Sequence, residues 1–514
     1  MRLEHKRSPE VRPGQAVASD FGPRSQSMLR LCGLLIAGGG ATLQVSTFEK
    51  CTPTLGGLSK AVRTPSLDVG RPRRATILCS AESPEPTPTT SEPTDVPTHD
   101  CVKFEHVVRA SHRIRNGVIR TPCTRSHWLS QETGCNVYLK LEHQQFTGSF
   151  KERGARNALL SLDEAKRSAG VVAASAGNHA LALCWHGSEL GIPVTVVMPT
   201  VAPMAKVDKC RMFGATVIIA GQHIGEAKEH AMSQFPELTY INGYDDVDIL
   251  AGAGTLGIEI LEQVPDCEAV VVPVGGGGLI AGLALAMKTL NPSIQVYGVE
   301  PERCASFTAA LAADRPVHYQ EVQPTLADGL AVPKVGEHAF AVARHWVDRV
   351  VTIEEREVAL GVLRLVEGEK MVVEGGGAAG LAALLPGGPL DCPELKGKTV
   401  VVPLCGGNID ITVLGRVIER GLAADGRLIR MTVPVSDRPG GIADLARLLA
   451  DLGGSVKDIF HERAWLQASV DQVEIKVILE TRGFEHNEEI LREVVRRGYS
   501  DAVIHDAPNF RATQ

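Results

Sequence analysis

The sequence predicts an α/β protein: a parallel sheet covered by helices in residues 101 to 424, followed by a small ferredoxin-like βαββαβ domain in residues 428 to 505. Two observations predict this fold class. In the first region, apolar β-branched runs of four to six residues alternate with longer helical patterns, as in sheets that are buried on both faces. After Asp425-Gly426 the order of elements changes to strand, helix, strand, strand, helix, strand.

Length, charge and cysteine usage narrow the class of protein. A chain of 514 residues is expected to form two to four domains. The net charge of −7 and the lack of a basic stripe argue against a nucleic-acid-binding protein. The 12 cysteines include no Cys-x-x-Cys pair, so we expect reduced thiols and neither a zinc site nor a disulfide framework. No apolar run reaches the length of about 18 residues that a membrane span requires.

The first hundred residues are predicted to be a targeting peptide and a disordered linker. Residues 1 to 80 hold twelve Lys or Arg against five acidic residues, with an apolar stretch from Met28 to Val45 and a basic end at Arg71 to Arg74. This pattern predicts import into a plastid, with a mitochondrial address or an arm without any address as alternatives. Residues 81 to 100 hold five prolines and five acids and no Lys or Arg, a composition that cannot bury enough surface to fold.

The predicted strands of the first region end in polar or glycine-rich turns. In parallel sheets, ligands bind just beyond the carboxyl ends of the strands. Ser175 follows the first run, Gly275 the fourth and Cys405 the last, so these turns are candidate ligand sites. The runs are Val171 to Ala174, Val194 to Met198, Thr216 to Ala220, Val270 to Val274, Gln295 to Val299 and Thr399 to Leu404.

The glycine run Gly275 to Gly278 is predicted to bind a phosphate group. It lies between an apolar strand and the helical pattern Leu279 to Leu290, where free backbone N–H groups and a helix N-terminus attract an anion. It lacks the Lys-Ser/Thr of a nucleotide P-loop, and it does not match the dinucleotide-binding fingerprint. A tight turn without a ligand is the alternative for this loop taken alone.

Three more segments accompany the glycine run. The first is Gln144 to Ala155, which opens a helix with Thr147-Gly148-Ser149-Phe150-Lys151; the others are Ser175 to His179 and Cys405 to Asn408. In this order and spacing, over about 400 residues, the four segments resemble the pyridoxal-phosphate enzymes of the tryptophan-synthase-β-like fold, and within them the threonine and serine dehydratases. The resemblance implies a catalytic region of two parallel-sheet subdomains.

The resemblance also assigns residues to the cofactor, pyridoxal 5'-phosphate. Lys151 is expected to bind its aldehyde as a Schiff base, Phe150 to pack on its ring and Asn178 to contact its ring hydroxyl. Cys405 is expected to face the ring nitrogen as a neutral partner, which favours elimination of a β-leaving group. The phosphate is assigned to the glycine run, that is, to Gly275, Gly276, Gly277 and Gly278.

The same resemblance places the carboxylate of an amino-acid substrate on the turn formed by Ser175, Ala176, Gly177 and His179. The N–H groups of this turn open a helix and so can bind an anion. His179 receives no role in proton transfer. Serine racemases have a second serine where this chain has Ala176, and that hydroxyl supplies a proton from the opposite face. Its absence favours a dehydratase.

The implied reaction is the deamination of L-threonine to 2-oxobutanoate and ammonia, the first step of isoleucine biosynthesis, with L-serine giving pyruvate. Lys151 would take the Cα proton, provided that its surroundings lower the pKa of its amine. Two alternatives remain from the sequence. One is a serine racemase or serine dehydratase, and the other is a non-catalytic amino-acid sensor, which leaves Lys151 unexplained.

Two glutamates match family positions. Glu300 corresponds to a carboxylate that binds a divalent cation in some relatives, but Ser306 stands where that site needs a further acid, so no metal is expected. Glu374 corresponds to a glutamate near the cofactor.

The turn Asp437 to Ile442 in the C-terminal region resembles the first loop of ACT domains, which bind amino acids between two copies. Asp437, Gly441 and Ile442 are therefore candidate contacts for an effector such as isoleucine, and a turn without a ligand is the alternative. We further expect a homo-oligomer, a dimer or a tetramer. The predicted elements are strand Leu428 to Val435, helix Gly441 to Leu452, strands Ser455 to His461 and Gln472 to Glu480, helix Asn487 to Arg497 and strand Asp501 to His505.

Overall fold

The computed structural model describes residues 98 to 462 and 472 to 505. The predicted targeting peptide, and the predicted linker as far as Pro97, lie outside the described residues. The first described element is a short 3-10 helix, His99–Cys101, which packs against the helix Glu337–Trp346 through stacked His99 and His345 rings 4.5 Å apart.

Strands and helices alternate through most of the described chain. The strands are β1 Cys123–Arg125, β2 Asn136–Lys140, β3 Val171–Ala174, β4 Val194–Met198, β5 Thr216–Ile219, β6 Thr239–Tyr240, β7 Ala269–Pro273, β8 Gln295–Pro301, β9 Arg349–Ile353, β10 Thr399–Pro403, β11 Leu428–Ser436, β12 Ser455–Glu462, β13 Gln472–Glu480 and β14 Val503–His505. The helices are α1 Phe104–Ile114, α2 His127–Thr133, α3 Lys151–Ser161, α4 Glu164–Ala169, α5 Asn178–Leu190, α6 Met204–Met212, α7 Ile224–Gln234, α8 Val247–Gln263, α9 Gly278–Leu290, α10 Ser306–Ala313, α11 Glu337–Trp346, α12 Glu355–Arg364, α13 Gly375–Leu384, α14 Ile411–Ala424, α15 Gly441–Asp451 and α16 Phe484–Arg496.

The larger sheet has six strands in the order β1-β2-β10-β7-β8-β9. All its pairings are parallel except that of the edge strand β1, which runs antiparallel to β2. Every residue of β7 and β10 is buried, as their unbroken apolar sequences predict. The β1–β2 pair and β9 were not among the predicted strands, because their sequences mix polar and apolar residues.

The smaller sheet has four parallel strands in the order β5-β4-β3-β6 and its own apolar core. Two parallel sheets with separate cores confirm the predicted α/β class and its two subdomains. In both sheets a strand passes through a short turn into a helix, as β3 does into α5 and β7 into α9. The polar turns are therefore gathered at the carboxyl ends of the strands.

The C-terminal sheet is antiparallel, in the order β12-β13-β11-β14, with α15 and α16 packed on one face. This is the ferredoxin-like arrangement predicted for the region. Some boundaries were wrong: α16 begins at Phe484 and not at Asn487, and β14 begins at Val503 and not at Asp501. Asn487 is not a cap, because its side chain bonds the Gly426 carbonyl (2.7 Å) and the Thr481 hydroxyl (2.7 Å).

Ion pairs join the catalytic region to the connection that leads into the C-terminal sheet. The Arg364 guanidinium donates to both oxygens of Asp425, at 2.9 and 2.7 Å, and Arg427 donates to both oxygens of Glu367, at 2.7 and 3.0 Å. Bidentate pairs of this kind fix orientation as well as distance. The short connection through Gly426 is thus held on both sides. Among the described helices, none combines the length and apolar character needed to cross a bilayer.

Candidate active site

Lys151 is the first residue of α3, and the loop before it docks on the turn after β10. The Phe150 N–H donates to the Cys405 carbonyl (3.0 Å), and the Gly407 N–H donates to the Gly148 carbonyl (2.9 Å). Gly148 has a φ of +79°, a backbone conformation that favours glycine. Two of the four segments singled out from the sequence, more than 250 positions apart, are therefore in direct contact.

The amine of Lys151 donates a hydrogen bond to the Gly243 carbonyl at 2.7 Å. Burial lowers the pKa of this amine to about 8, although the neighbouring Cys405 and Glu374 act to raise it. No carboxylate of the described residues forms an ion pair with it. A half-buried lysine without a counter-ion is a candidate base or nucleophile, since a sizeable fraction of its amine is neutral near pH 8.

The glycine turn shares a pocket with Lys151. Gly278, the first residue of α9, lines this pocket together with Lys151, Phe150, His179 and Gly243. The first N–H groups of a helix have no intrahelical acceptor, so they are available to an anion here. Gly278, the last residue of the predicted phosphate site, and the predicted Schiff-base lysine therefore line one pocket.

Close packing explains why glycines fill this turn. Gly277 has a φ of +89°. A Cβ atom at Gly276 would lie 2.3 Å from the Tyr244 ring, and one at Gly278 would lie 2.5 Å from the Tyr244 carbonyl. Both contacts are too short for any side chain. No local pattern indicated that Tyr244 covers the turn, since Tyr244 follows β6 in the other subdomain.

The turn from Ser175 to Gly177 leaves open space at the start of α5. A Cβ atom at Gly177 would meet nothing within 4 Å, and the Ser175 hydroxyl accepts a hydrogen bond from the Gly177 N–H at 3.3 Å. Ala176 is partly buried against the core of the smaller subdomain. Space in front of a helix N-terminus suits the carboxylate that the sequence led us to expect there.

His179 lies inside the pocket but is poorly suited to carry a proton. Its Nε2 lies 3.2 Å from the Ile241 carbonyl. Burial, and then the charge of Lys151, lower the pKa of the imidazole to about 3. The ring is therefore neutral at physiological pH, in keeping with the absence of a proton-transfer role in the prediction.

Cys405 is buried at the end of β10, and its thiol contacts the Pro403 carbonyl at 3.4 Å. Burial, with Glu142 and Glu374 nearby, raises the pKa of this thiol well above its usual value. The thiol stays protonated and neutral. An uncharged thiol is the partner that was expected for the ring nitrogen of the cofactor.

Asn178 lies between two residues from distant parts of the chain. Its Nδ2 donates to Glu374 Oε1 (2.7 Å), and its Oδ1 accepts from Asn408 Nδ2 (2.9 Å). Burial raises the pKa of Glu374 to about 7, with Asp328 adding to the effect. Asn408 belongs to the predicted segment Cys405 to Asn408, but the sequence alone assigned it no role.

A buried ionic cluster under α3 was not foreseen. Arg153, two residues after Lys151, bonds both oxygens of Glu142 and both of Glu259, while Lys140 bonds Glu259 at 2.7 Å. Burial alone would lower the pKa of Arg153, but the two carboxylates raise it above its usual value. The cluster ties α3 to β2 and α8. In the sequence, these residues form only a pattern of charges, and a solvent-exposed helix face would show the same pattern.

The remaining candidates lie away from the pocket. Both Glu300 oxygens accept backbone N–H groups, from Phe307 and Thr308, at 2.9 Å each. Within the described residues, no cluster of three or more His, Cys, Asp or Glu could hold a metal ion. The C-terminal turn, with its partly exposed Ile442, belongs to the separate antiparallel sheet.

The residues gathered here meet the chemical demands of pyridoxal phosphate: a lysine amine without a counter-ion, a glycine turn at a helix N-terminus, the Asn178 amide and a neutral thiol. Lys151 would hold the aldehyde, and the turn from Gly275 to Gly278 would hold the phosphate. Asn178 would contact the ring hydroxyl, and Cys405 would face the ring nitrogen. The fit rests on residues from both subdomains.

Comparisons with known proteins agree with this geometry. The model of a family described as pyridoxal-phosphate-dependent enzymes matches residues 114 to 406. The chain is 42% identical to the L-threonine ammonia-lyase of Thermotoga maritima over 406 residues, 78% of this chain and 100% of that protein. Among solved structures, it is similar to processed threonine deaminase isoform 2 of Solanum lycopersicum (TM-score 0.59, 34% identity, 63% of this chain and 90% of that one). It is also similar to maize serine racemase (TM-score 0.59, 31% identity, 63% and 98%).

Proposed function

The chain belongs to the pyridoxal-phosphate-dependent enzymes, and on that basis we propose that it converts L-threonine to 2-oxobutanoate and ammonia. The observation that carries the proposal is the amine of Lys151, which has no counter-ion among the described residues and lines one pocket with Gly278 of the glycine turn. The 42% identity to an L-threonine ammonia-lyase along that protein's whole length supports the choice of substrate.

Each residue of the site has a separate role in the proposed reaction. When bound, pyridoxal phosphate supplies an aldehyde that condenses with amines and a ring that withdraws electrons from the substrate Cα. The amine of Lys151 accepts the Cα proton, since burial lowers its pKa to about 8 and so provides the neutral form. The Gly243 carbonyl orients that amine. The N–H groups at Gly177 and the start of α5 hold the substrate carboxylate.

Ala176 distinguishes the proposed reaction from racemisation. No hydroxyl is present at this position to donate a proton to the opposite face of Cα. L-Serine is expected to be a second substrate, giving pyruvate, because nothing at the turn requires a β-methyl group. A serine racemase is the second candidate, since maize serine racemase shares the fold over 63% of this chain.

The C-terminal sheet is proposed to be an ACT domain that binds an amino-acid effector such as isoleucine, the end product of the pathway that this reaction would open. Its strand order and the turn at Asp437, Gly441 and Ile442 support the proposal. So does the similarity to the Thermotoga maritima protein, which covers 78% of this chain, more than the catalytic region supplies. An effector would act through its different affinity for two states of a homo-oligomer, a dimer or a tetramer.

Import into a plastid is proposed from the basic, acid-poor composition of residues 1 to 80. A fusion of residues 1 to 100 to a fluorescent protein tests this address against a mitochondrial one.

The activity itself is tested by measuring 2-oxo acid and ammonia from L-threonine and L-serine, with and without isoleucine. Release of 2-oxobutanoate from L-threonine is expected. Formation of D-serine from L-serine as the main reaction would select the racemase, and absence of both reactions in the cofactor-loaded protein would leave an amino-acid sensor.

A further inference from the structure

The amide of Asn178 is held on both sides within the active site. Glu374, the residue before α13, accepts from its nitrogen at 2.7 Å, and Asn408 donates to its oxygen at 2.9 Å. Asn408 also donates to the Thr147 carbonyl at 2.7 Å. The chain of bonds thus runs from the loop before Lys151 to the start of α13.

In this chain of hydrogen bonds, each group can take only one role, donor or acceptor. A backbone carbonyl can only accept, so Asn408 must present its NH₂ group to Thr147. The second hydrogen of that group then meets Asn178, which must offer its oxygen in return. The nitrogen of Asn178 is left facing Glu374, and a carboxylate is an acceptor. The orientation of Asn178 is therefore determined by groups that do not belong to it.

One hydrogen of the Asn178 NH₂ group is used by Glu374, and the other remains available. We propose that Glu374 and Asn408 are positioning residues that make Asn178 a hydrogen-bond donor, and never an acceptor, toward the cofactor. A donor at this place stabilises the ionised form of the cofactor's ring oxygen. The inference rests on the proposed function, which assigns the ring hydroxyl to Asn178.

Close packing keeps Glu374 in place. A Cβ atom at Gly406 would lie 2.3 Å from Glu374 Oε1, and one at Gly377 would lie 2.6 Å from the Gly406 carbonyl. Glycine at both positions lets α13 approach the turn after β10. The charged and titratable groups whose fields reach Glu374 are Asp328, Lys206, Lys151 and Cys405.

The test is the near-ultraviolet and visible absorbance of the cofactor-loaded protein, which reports whether the ring oxygen is ionised. In Glu374→Ala the NH₂ group of Asn178 loses its acceptor, so the amide can rotate and exchange the positions of its oxygen and nitrogen. The long-wavelength band should decrease relative to the short-wavelength band, and cofactor binding, measured by fluorescence titration, should weaken about tenfold. Asn408→Ala should change the spectrum in the same direction, which covers the case in which Glu374→Ala does not fold.

Three further variants separate positioning from a general structural effect. Glu374→Gln keeps an oxygen that can accept and should restore most of the unaltered spectrum. Asp328→Asn removes an exposed charge that helps to raise the pKa of Glu374 but leaves the hydrogen bond of Glu374 to Asn178 in place, so the long-wavelength band should not decrease. In an Asn178→Ala background, Glu374→Ala should produce no further spectral change, because its effect passes through Asn178.

Equal spectral changes from Glu374→Ala with and without Asn178 would overturn the inference, as would an unchanged spectrum in folded Glu374→Ala. The proposed function has a separate readout. If the unaltered enzyme forms no 2-oxobutanoate from L-threonine, that function is refuted. The spectral outcomes named above would refute only the positioning role.

Discussion

Loss of the Glu142 carboxylate should destabilise the catalytic region strongly. Glu142 and Arg153 have no exposed area, and two bonds of 2.8 Å join them. Two carboxylates, Glu142 and Glu259, balance two cations, Arg153 and Lys140. Glu142→Gln keeps the volume but leaves a buried cationic excess.

Breaking one side of a buried ion pair costs about 3–5 kcal/mol of unfolding free energy. The matched control is Glu262→Gln, which breaks the exposed pair of Arg120 and Glu262, 2.9 Å apart with side chains 57% and 51% exposed. A pair of this kind contributes about 0–1 kcal/mol. The two substitutions are chemically identical, so burial alone should separate them.

Urea unfolding followed by far-ultraviolet circular dichroism measures both variants. The midpoint should fall clearly in Glu142→Gln and stay near the unaltered value in Glu262→Gln. If the two variants lose the same stability, within about 1 kcal/mol, the cluster does not hold α3 as argued.

The same cluster predicts an acid dependence. Burial alone would raise the pKa of Glu142, but Arg153 outweighs it and the pKa is lowered. A carboxyl whose folded pKa lies below its unfolded value of about 4.3 contributes stability above that pH. The contribution disappears as the pH falls through the folded pKa. The stability difference between Glu142→Gln and the unaltered protein should therefore shrink below about pH 4.

Other predictions concern catalysis and regulation. Lys151→Ala should abolish 2-oxobutanoate formation, because no other lysine of the described residues lines the pocket; retained turnover would assign the base to another lysine. Ala176→Ser adds a hydroxyl at the substrate turn and should add a trace of D-serine, seen by chiral chromatography; complete absence would show that this position does not decide the outcome. A Cβ atom at Gly441 would lie 2.4 Å from the Ser436 carbonyl. Gly441→Val should therefore remove the isoleucine response while basal turnover persists, and an unchanged response would place the effector elsewhere.

The fold and the four turns of the site were predictable because their signals are local. Apolar runs such as those of β7 and β10 indicate strands buried on both faces, and Gly275 to Gly278 marks a close backbone approach. The start of α16 was wrong: Asn487 lies inside the helix, and its side chain bonds the Gly426 carbonyl, 61 residues away, a contact that no local pattern indicates.

What the amino-acid sequence determined by itself was the order of strands and helices, the position of Lys151 at a helix start and the turns that surround it. Only the tertiary structure decided that the amine would face the Gly243 carbonyl, that Glu374 and Asn408 would orient Asn178, and that Arg153 would find Glu259, 106 residues away. The physical reason is that burial and the pairing of polar groups depend on which distant segments exclude water together, and no local pattern of residues contains that information.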